Sequence, residues 1–451
     1  MRETIGPKIA PEFSKKQSVN VQPATEKVGK RLPKNNALKA DVAVVGGGAS
    51  GLMSALWASL NSHVGAVALC EGQTCGSKIL LSGGGRCNLT HRDLDVSLYA
   101  GSSIHSIRKV FAHFSVEKTL SFFRSLGVVL KCDEFGKYFP ASDCSETVRN
   151  ALVRTVQKNG AIVLRPFRVD RIEKIATGFH LSGPSGSIES RRVILATGGM
   201  SYPRTGSDGT GFRLARDLSI PITPRLFPAL VPLFLPSGHF LCGLSGISCR
   251  AVVSVVSHTG RLIRSVFGDV LLTHTGLSGP AVLDISRYYL ESKQNDVRTT
   301  LVIQWLPDMT QEALEKELVA LGPRTVQSCL RRFLPLRLVQ ALCRYSQVDS
   351  SLPGHSMTRE QRRTLVRTLI GFTAPIFGSP GFEKAEATAG GIPLSALDPN
   401  TLESRDCPGV HAVGELCDVD GPEGGYNLQW AWSSGYTAGV AVHGSRRSEP
   451  K

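Results

Sequence analysis

No window of about eighteen residues in this chain is continuously apolar, so nothing in it reads as a membrane-spanning helix. Its eleven cysteines include no Cys-x-x-Cys pair, and their number is odd. That excludes a disulfide framework, a zinc ribbon and any redox enzyme built around a closely spaced thiol pair; the cysteines read as reduced thiols. Acid is scarce relative to base: 37 Asp and Glu against 52 Lys and Arg leave a formal charge of +15. The basic residues are scattered, and no stripe interleaves them with aromatics. The surplus therefore reads as a solvated surface with room for acidic ligands, and a nucleic-acid partner is not expected. No internal repeat and no metal-loop spacing is found. Asp418, Asp420 and Glu423 read as a polar loop, and no metal site is expected.

What is present is a globular profile, 41% hydrophobic and 20% charged, in 451 residues that allow two or three domains. Residues 1–39 stand apart. They carry nine Lys or Arg against Glu3, Glu12 and Glu26 and show no apolar periodicity. They read as a disordered basic tail without the apolar core of a secretory signal. A cytoplasmic location is expected, with mitochondrial or other organelle targeting through the tail as the alternative.

Order begins at Ala40-Asp41-Val42-Ala43-Val44-Val45, a short apolar run suited to a buried parallel strand. Gly46, Gly48 and Gly51 follow in a Gly-x-Gly-x-x-Gly pattern, then a helix from Leu52 to Leu60 and a second strand, Val64–Glu71. The first glycine permits the tight turn, the second admits a pyrophosphate to the backbone, and the third lets helix and strand pack closely. Phosphates then meet the free N–H groups of the helix N-terminus. Glu71 ends the second strand, placed to accept hydrogen bonds from ribose hydroxyls. Together these features predict a dinucleotide-binding βαβ unit. No second complete glycine pattern is visible, so a separate NAD(P)H-binding domain is not expected.

Patterning divides the ordered chain further. Residues 40–227 and 381–443 form a discontinuous dinucleotide-binding part. Residues 228–305 alternate with a period of two and predict an inserted β-rich part. Residues 306–380 predict an inserted helical part, with helical stretches over 310–345 and 358–370 and a capping box near Thr310.

Three further segments carry chemistry. Lys78-Ile79-Leu80-Leu81-Ser82-Gly83-Gly84-Gly85-Arg86-Cys87-Asn88 offers close backbone approach beside cationic side chains. The strand Arg192–Ala196 ends in Thr197-Gly198. Near the C-terminus, Gly414-Glu415 ends a strand, and Gly424-Gly425 opens a helix through Tyr426, Asn427 and Leu428. A helix N-terminus there can offset negative charge that develops on a bound cofactor, as it does on a flavin when it is reduced.

With these residues assembled, the chain resembles the YhiN/BaiN-type (RdsA-type) NAD(P)/FAD-dependent oxidoreductases, some described as aminoacetone-oxidase-like. The matching stretches are GGGASGL, KILLSGGGRCN, ATGGMSYPRTGSDGTG, PALVPL, THTGLSGP, the run Glu386–Gly391 and GELCDVDGPEGGYNLQWAWSSGYTAG, spread over residues 41–440. The resemblance implies an α/β fold: a two-lobed FAD-binding Rossmann-like domain with an inserted β-barrel-like and helical region. Resemblance and residue chemistry together put Gly46, Gly48, Ala49, Ser50, Gly51, Glu71, Lys78, Ser82, Gly83, Arg86, Asn88, Thr197, Gly198, Gly414, Glu415, Gly425, Asn427 and Leu428 near FAD. Hydride transfer through the flavin to or from a small organic substrate is expected, a reductase being favoured over an oxidase. NAD(P)H then docks transiently. His274, Tyr202 and Tyr426 are the candidates for proton transfer. A flavin-dependent tRNA-modifying protein and a non-catalytic or redox-sensing flavoprotein stand as alternatives.

Overall fold

The computed structural model describes residues 37–60, 64–101 and 103–442. Most of the expected basic tail, and the targeting question with it, lies outside the described residues. Its last two residues already belong to the first strand, Leu38–Val45.

That strand is hydrogen-bonded in parallel on both edges, to Val67–Cys70 on one side and to Gly186–Leu195 on the other. Val42, Ala43 and Val44 are essentially inaccessible. A strand covered on both faces must be apolar throughout, which is why the run shows no alternation. Ile162–Leu164 extends the sheet beyond Val67–Cys70. The first half of Gly186–Leu195 pairs antiparallel with Gly178–Gly183. Its second half pairs in parallel with Val410–Ala412, from the far end of the chain. This sheet thus draws its strands from both ends of the described chain.

Two helices cover one face. The cradle helix, Ala49–Ser59, packs along the C-terminal helix, Tyr426–Ala441. Small residues set the separation. A Cβ on Gly435 would lie 2.5 Å from the Ser50 carbonyl oxygen, and one on Gly439 would lie 2.7 Å from that of Ser54. The Ser54 hydroxyl donates to the Gly435 carbonyl at 3.1 Å.

The inserted region is a six-stranded antiparallel sheet with helices against it. Along Ser248–Val256 the side chains of Ala251, Val253 and Val255 are buried and those between are not, which is the period-two signal seen in the sequence. Two elements cross the division at residue 305. The helix Pro280–Asn295 lies within the β-rich stretch, and the strand Phe372–Ala374 comes from the helical one. Pro280 in the first turn, with Ala281, Val282, Ile285 and Tyr289 buried behind it, is a helical stripe embedded in a β pattern. The stretch 310–345 is three helices, Gln311–Val319, Val326–Leu330 and Leu336–Tyr345, because Gly322-Pro323 and Pro335 interrupt it. Thr310 caps its helix alone, and the reciprocal capping box forms at Thr358 and Gln361.

Apolar side chains separate into a cluster around the parallel sheet and a second one within residues 233–376. Two short antiparallel strands, Phe227–Ala229 and Ala387–Ala389, carry the chain between them. A cavity opens beside this crossing, at the carboxyl ends of the parallel strands, where Val45, Cys70 and Ala196 form part of its wall.

Candidate functional site

The cavity measures about 500 Å³, and its wall includes Phe167, Arg168 and Glu71 as well as Leu230, Glu386 and Leu428. Of the residues expected near FAD, Gly46, Gly48, Ala49, Ser50, Glu71, Lys78, Ser82, Gly83, Asn88, Thr197, Gly198, Glu415, Gly425, Asn427 and Leu428 line it.

The glycine pattern divides its labour. Gly46 has φ of +104°, and a Cβ there would sit 2.4 Å from the Ala196 carbonyl oxygen. A Cβ on Gly51 would sit 1.8 Å from the Gly46 carbonyl oxygen. These two glycines let protein meet protein. A Cβ on Gly48 would meet nothing within 4 Å, and Gly48 lines the cavity, so its missing side chain leaves space for a ligand. Gly48 caps the cradle helix without any side-chain bond, leaving first-turn N–H groups at the cavity. Gly425 does the same for the C-terminal helix, whose Asn427 and Leu428 reach the cavity. Two helix N-termini therefore open into one cavity.

Glu71 sits at the mouth of the first. Its carboxylate accepts from the Gly47 N–H at 2.7 Å and the Gln73 N–H at 2.8 Å. Burial raises its pKa, and these N–H groups oppose that. The run after Lys78 folds as expected of Gly-Gly-Gly: Gly83, Gly84 and Gly85 all have positive φ, a sequence of left-handed residues that side chains disfavour. It delivers Asn88 to the cavity, where the buried side-chain oxygen has no partner among the described residues. An orphaned buried acceptor in an open cavity fits a ligand N–H.

Lys78 and Glu415 form an ion pair in the cavity wall. The Glu415 carboxylate also accepts from the hydroxyls of Ser201 and Thr388, and Lys78 donates to Ser201 at 2.7 Å. Burial opposes ionisation of Glu415, but the Lys78 charge and these hydrogen bonds outweigh it and hold the pKa below the ordinary glutamate value. Glu415 is thus engaged by protein groups, and its effect on a ligand is to fix the Lys78 ammonium in the wall.

Several expected residues stand elsewhere. Gly51 is one turn inside the cradle helix. Gly414 lies behind the wall, its carbonyl accepting from the Trp430 indole at 2.9 Å. Arg86 is exposed and stacks over the Phe139 ring at 4.5 Å. Of the proton-transfer candidates, only Tyr202 lines the cavity. Tyr426 is buried outside the lining, its hydroxyl 3.5 Å from the Asp95 N–H. His274 is exposed in a hairpin turn of the inserted sheet, also outside it. Both belong to matching motifs, but motif membership here marks a tight turn and a packed helix start.

Sequence reasoning missed Arg168, Asp208, Thr210, Leu230, Glu386 and Glu423, all in the lining. Arg168 pairs with Asp208 at 2.8 Å and donates to Thr210. Arg168 lies in none of the quoted stretches, and its contacts join distant segments. Asp208, Thr210, Leu230, Glu386 and Glu423 all lie in quoted stretches, so a signal existed for them, but not one that told which of them reach the cavity.

Cys87 is fully buried, and burial pushes its thiol up to about 12, against a hydrogen bond from Ser82. It is a packing residue and not a nucleophile. Under native conditions a thiol reagent is expected to modify the exposed Cys132 promptly and leave Cys70, Cys87 and Cys417 untouched. Mass mapping of the labelled peptides checks this.

A parallel sheet, a ligand-facing glycine turn, an acid ending the second strand and two helix N-termini at one cavity define an FAD-dependent oxidoreductase of two-lobed Rossmann type. The chain belongs to the HI0933-like family: the profile described as "HI0933-like protein Rossmann domain" matches residues 40–441. It is 33% identical to the 3-dehydro-bile acid delta(4,6)-reductase of Clostridium scindens, over 89% of this chain and 98% of that one. It is 30% identical to the ribosomal RNA dihydrouridine synthase of Escherichia coli, over 88% of this chain and 96% of that one. Among solved structures, a 3-ketosteroid delta1-dehydrogenase from Sterolibacterium denitrificans superposes with a TM-score of 0.49 at 12% identity, covering 90% of this chain and all of that one. No helix among the described residues is long and apolar enough to cross a membrane.

Proposed function

We propose that this protein is an FAD-dependent reductase that saturates a carbon–carbon double bond conjugated to a carbonyl, with NAD(P)H as the transient reductant. The observation that carries this is the cavity into which both helix N-termini open, with Tyr202, Leu230 and Glu386 in its wall. The names of the two curated relatives support it. A bile acid delta(4,6)-reductase and a dihydrouridine synthase act on unlike molecules, but both reactions add hydrogen across a double bond activated by a carbonyl.

Bound FAD supplies hydride chemistry. The chain supplies the rest. The cradle helix N-terminus and Lys78 face a pyrophosphate; Glu71 faces a ribose; Asn88 offers its unpartnered oxygen; and the C-terminal helix N-terminus offsets negative charge that develops near it. Tyr202 presents a hydroxyl to the substrate end. Burial and the charge of Glu386 hold that hydroxyl above the ordinary tyrosine value, so it stays a donor at neutral pH.

A second reading concerns the substrate. Two relatives bear the name ribosomal RNA dihydrouridine synthase, and the +15 charge suits a polyanion. A uridine in ribosomal RNA therefore replaces the tRNA considered from sequence, and stands beside a small molecule such as a 3-oxo-4-ene steroid. The test is to reduce the holoenzyme anaerobically and offer each acceptor in turn. Reoxidation by one acceptor, with the saturated product found by mass spectrometry, identifies the substrate class. Failure of every conjugated carbonyl to reoxidise it contradicts the proposal.

A further inference from the structure

Saturating a conjugated double bond takes a hydride at one carbon and a proton at its neighbour, and the cavity must hold an acid for that proton. Five carboxylates line it: Glu71, Asp208, Glu386, Glu415 and Glu423. Four are engaged. Glu71 accepts from two backbone N–H groups. Asp208 accepts from Arg168 and from the Thr210 N–H. Glu415 is held by Lys78, Ser201 and Thr388. Glu423 pairs with Lys137 at 2.6 Å. Each of these four carboxylates is aimed at its protein partners. Glu386 alone among the five has no side-chain hydrogen bond and no ion pair among the described residues.

Its backbone is fixed. Glu386 immediately precedes the crossing strand Ala387–Ala389, and its N–H donates to the Leu230 carbonyl at 3.1 Å. Leu230 and Tyr202, both in the cavity wall, have φ of +52° and +48°. Such conformations are rare for bulky side chains and collect at functional sites. Three residues with a constrained backbone thus line the cavity, and one of them carries a carboxyl with no protein partner among the described residues.

We propose that Glu386 is the acid that delivers the proton completing reduction of the conjugated double bond. This rests on the reductase reading above. The carboxyl proton forms a C–H bond at the carbon next to the carbonyl. The hydride, drawn ultimately from a reduced nicotinamide, forms the other C–H bond at the far carbon, and the π pair is consumed. Glu386 is left as a carboxylate and regains its proton from water through the open cavity. The charged and titratable groups facing it are Glu423, Lys137, Asp284 and Tyr202. Glu386 is exposed to the solvent of the open cavity; the wall packed around it and the Glu423 charge raise its pKa, and Lys137 opposes them. Asp284, whose carboxylate accepts from the Glu423 N–H at 2.7 Å, is itself pushed up to about 7, chiefly by burial. Together these groups move the titration of Glu386 above that of an isolated glutamate.

The test compares wild type with Glu386→Gln and Glu386→Asp as holoenzymes. Bleaching by NAD(P)H is expected to be unchanged in E386Q. Reoxidation by the conjugated acceptor is expected to slow by roughly 10²–10⁴-fold, the usual contribution of a general acid, with partial recovery in E386D. A second readout needs no turnover. A raised acid binds its proton more tightly folded than unfolded, so its contribution to stability falls as pH rises from the ordinary glutamate value through the raised one. The melting temperature of E386Q relative to wild type is therefore expected to climb across that window, where a packing role gives a difference flat in pH. Wild-type reoxidation rates in E386Q, or a pH-independent melting difference, overturn the proposal. If wild type itself is reoxidised by no conjugated carbonyl, the reductase reading falls and this proposal with it, and the failure of the wild type tells the two cases apart.

Discussion

Gly48→Val is expected to fold normally and to bind no FAD, whereas Gly51→Val is expected not to fold. The two positions belong to one motif, three residues apart. At Gly48, where φ is −72°, an added Cβ meets no protein atom within 4 Å, and the residue lines the cavity. A side chain there costs the fold little and takes the space a pyrophosphate needs. FAD affinity should fall by on the order of 100-fold or more, equivalent to roughly 3 kcal/mol. A Cβ at Gly51 meets the Gly46 carbonyl oxygen at 1.8 Å and the Ala196 Cβ at 3.2 Å, and backbone cannot swing aside as a flexible side chain does. The cost should exceed the ~1–3 kcal/mol usual for overpacking. Circular dichroism melts and the flavin retained through gel filtration check both. A Gly48 variant that unfolds, or one that keeps its flavin, contradicts the assignment of that glycine to the ligand.

Lys78→Met should produce the second large effect. It leaves the Glu415 carboxylate mostly buried without its cation, and Ser201 and Thr388 provide neutral donors alone. Breaking a fully buried pair costs about 3–5 kcal/mol. Here the two side chains keep 25% and 20% of their exposure, so roughly 2–3 kcal/mol is expected after that screening. Adding Glu415→Gln removes the orphaned charge and should restore much of the loss. The pH dependence follows from the sign of the shift. Glu415 is held below the ordinary glutamate value of 4.5, so its contribution is present above that value and lost as pH falls through the lowered one. The gap between wild type and Lys78→Met should therefore be full at neutral pH and close in acid. Chemical denaturation at several pH values measures it. A gap that stays constant into acid contradicts the pairing.

Much of the cradle was legible in the sequence because its constraints are local. A strand, a tight turn and a helix start must fall in immediate succession, so Val42–Val45, Gly46, Gly48 and Gly51 announce themselves by spacing alone. Glu71 was legible for the same reason, as the residue that ends the next strand. The period of two along Ser248–Val256 likewise reflects one strand with one buried face. What escaped depends on segments that meet only after folding. Gly435 and Gly439 look like helix weaknesses in sequence, and the structure makes them the surface on which two helices touch. Glu415 reads as a ligand acceptor until Lys78 and Ser201 arrive beside it. His274 and Tyr426 carry attractive chemistry, but nothing in a sequence says which side of a hairpin turn or helix start faces a cavity. Glu386 stands out only when the other four carboxylates are seen to be taken.

The central claim is that the cavity holds FAD and passes hydride. The most direct measurement is an anaerobic stopped-flow trace of the purified protein's visible flavin band, mixed first with NADH or NADPH and then with a conjugated carbonyl acceptor. The account predicts one FAD per chain, bleaching by a nicotinamide, and recovery of the band when the acceptor is added. A protein that carries no flavin and takes none up, or a bound flavin that neither nicotinamide bleaches, would contradict it.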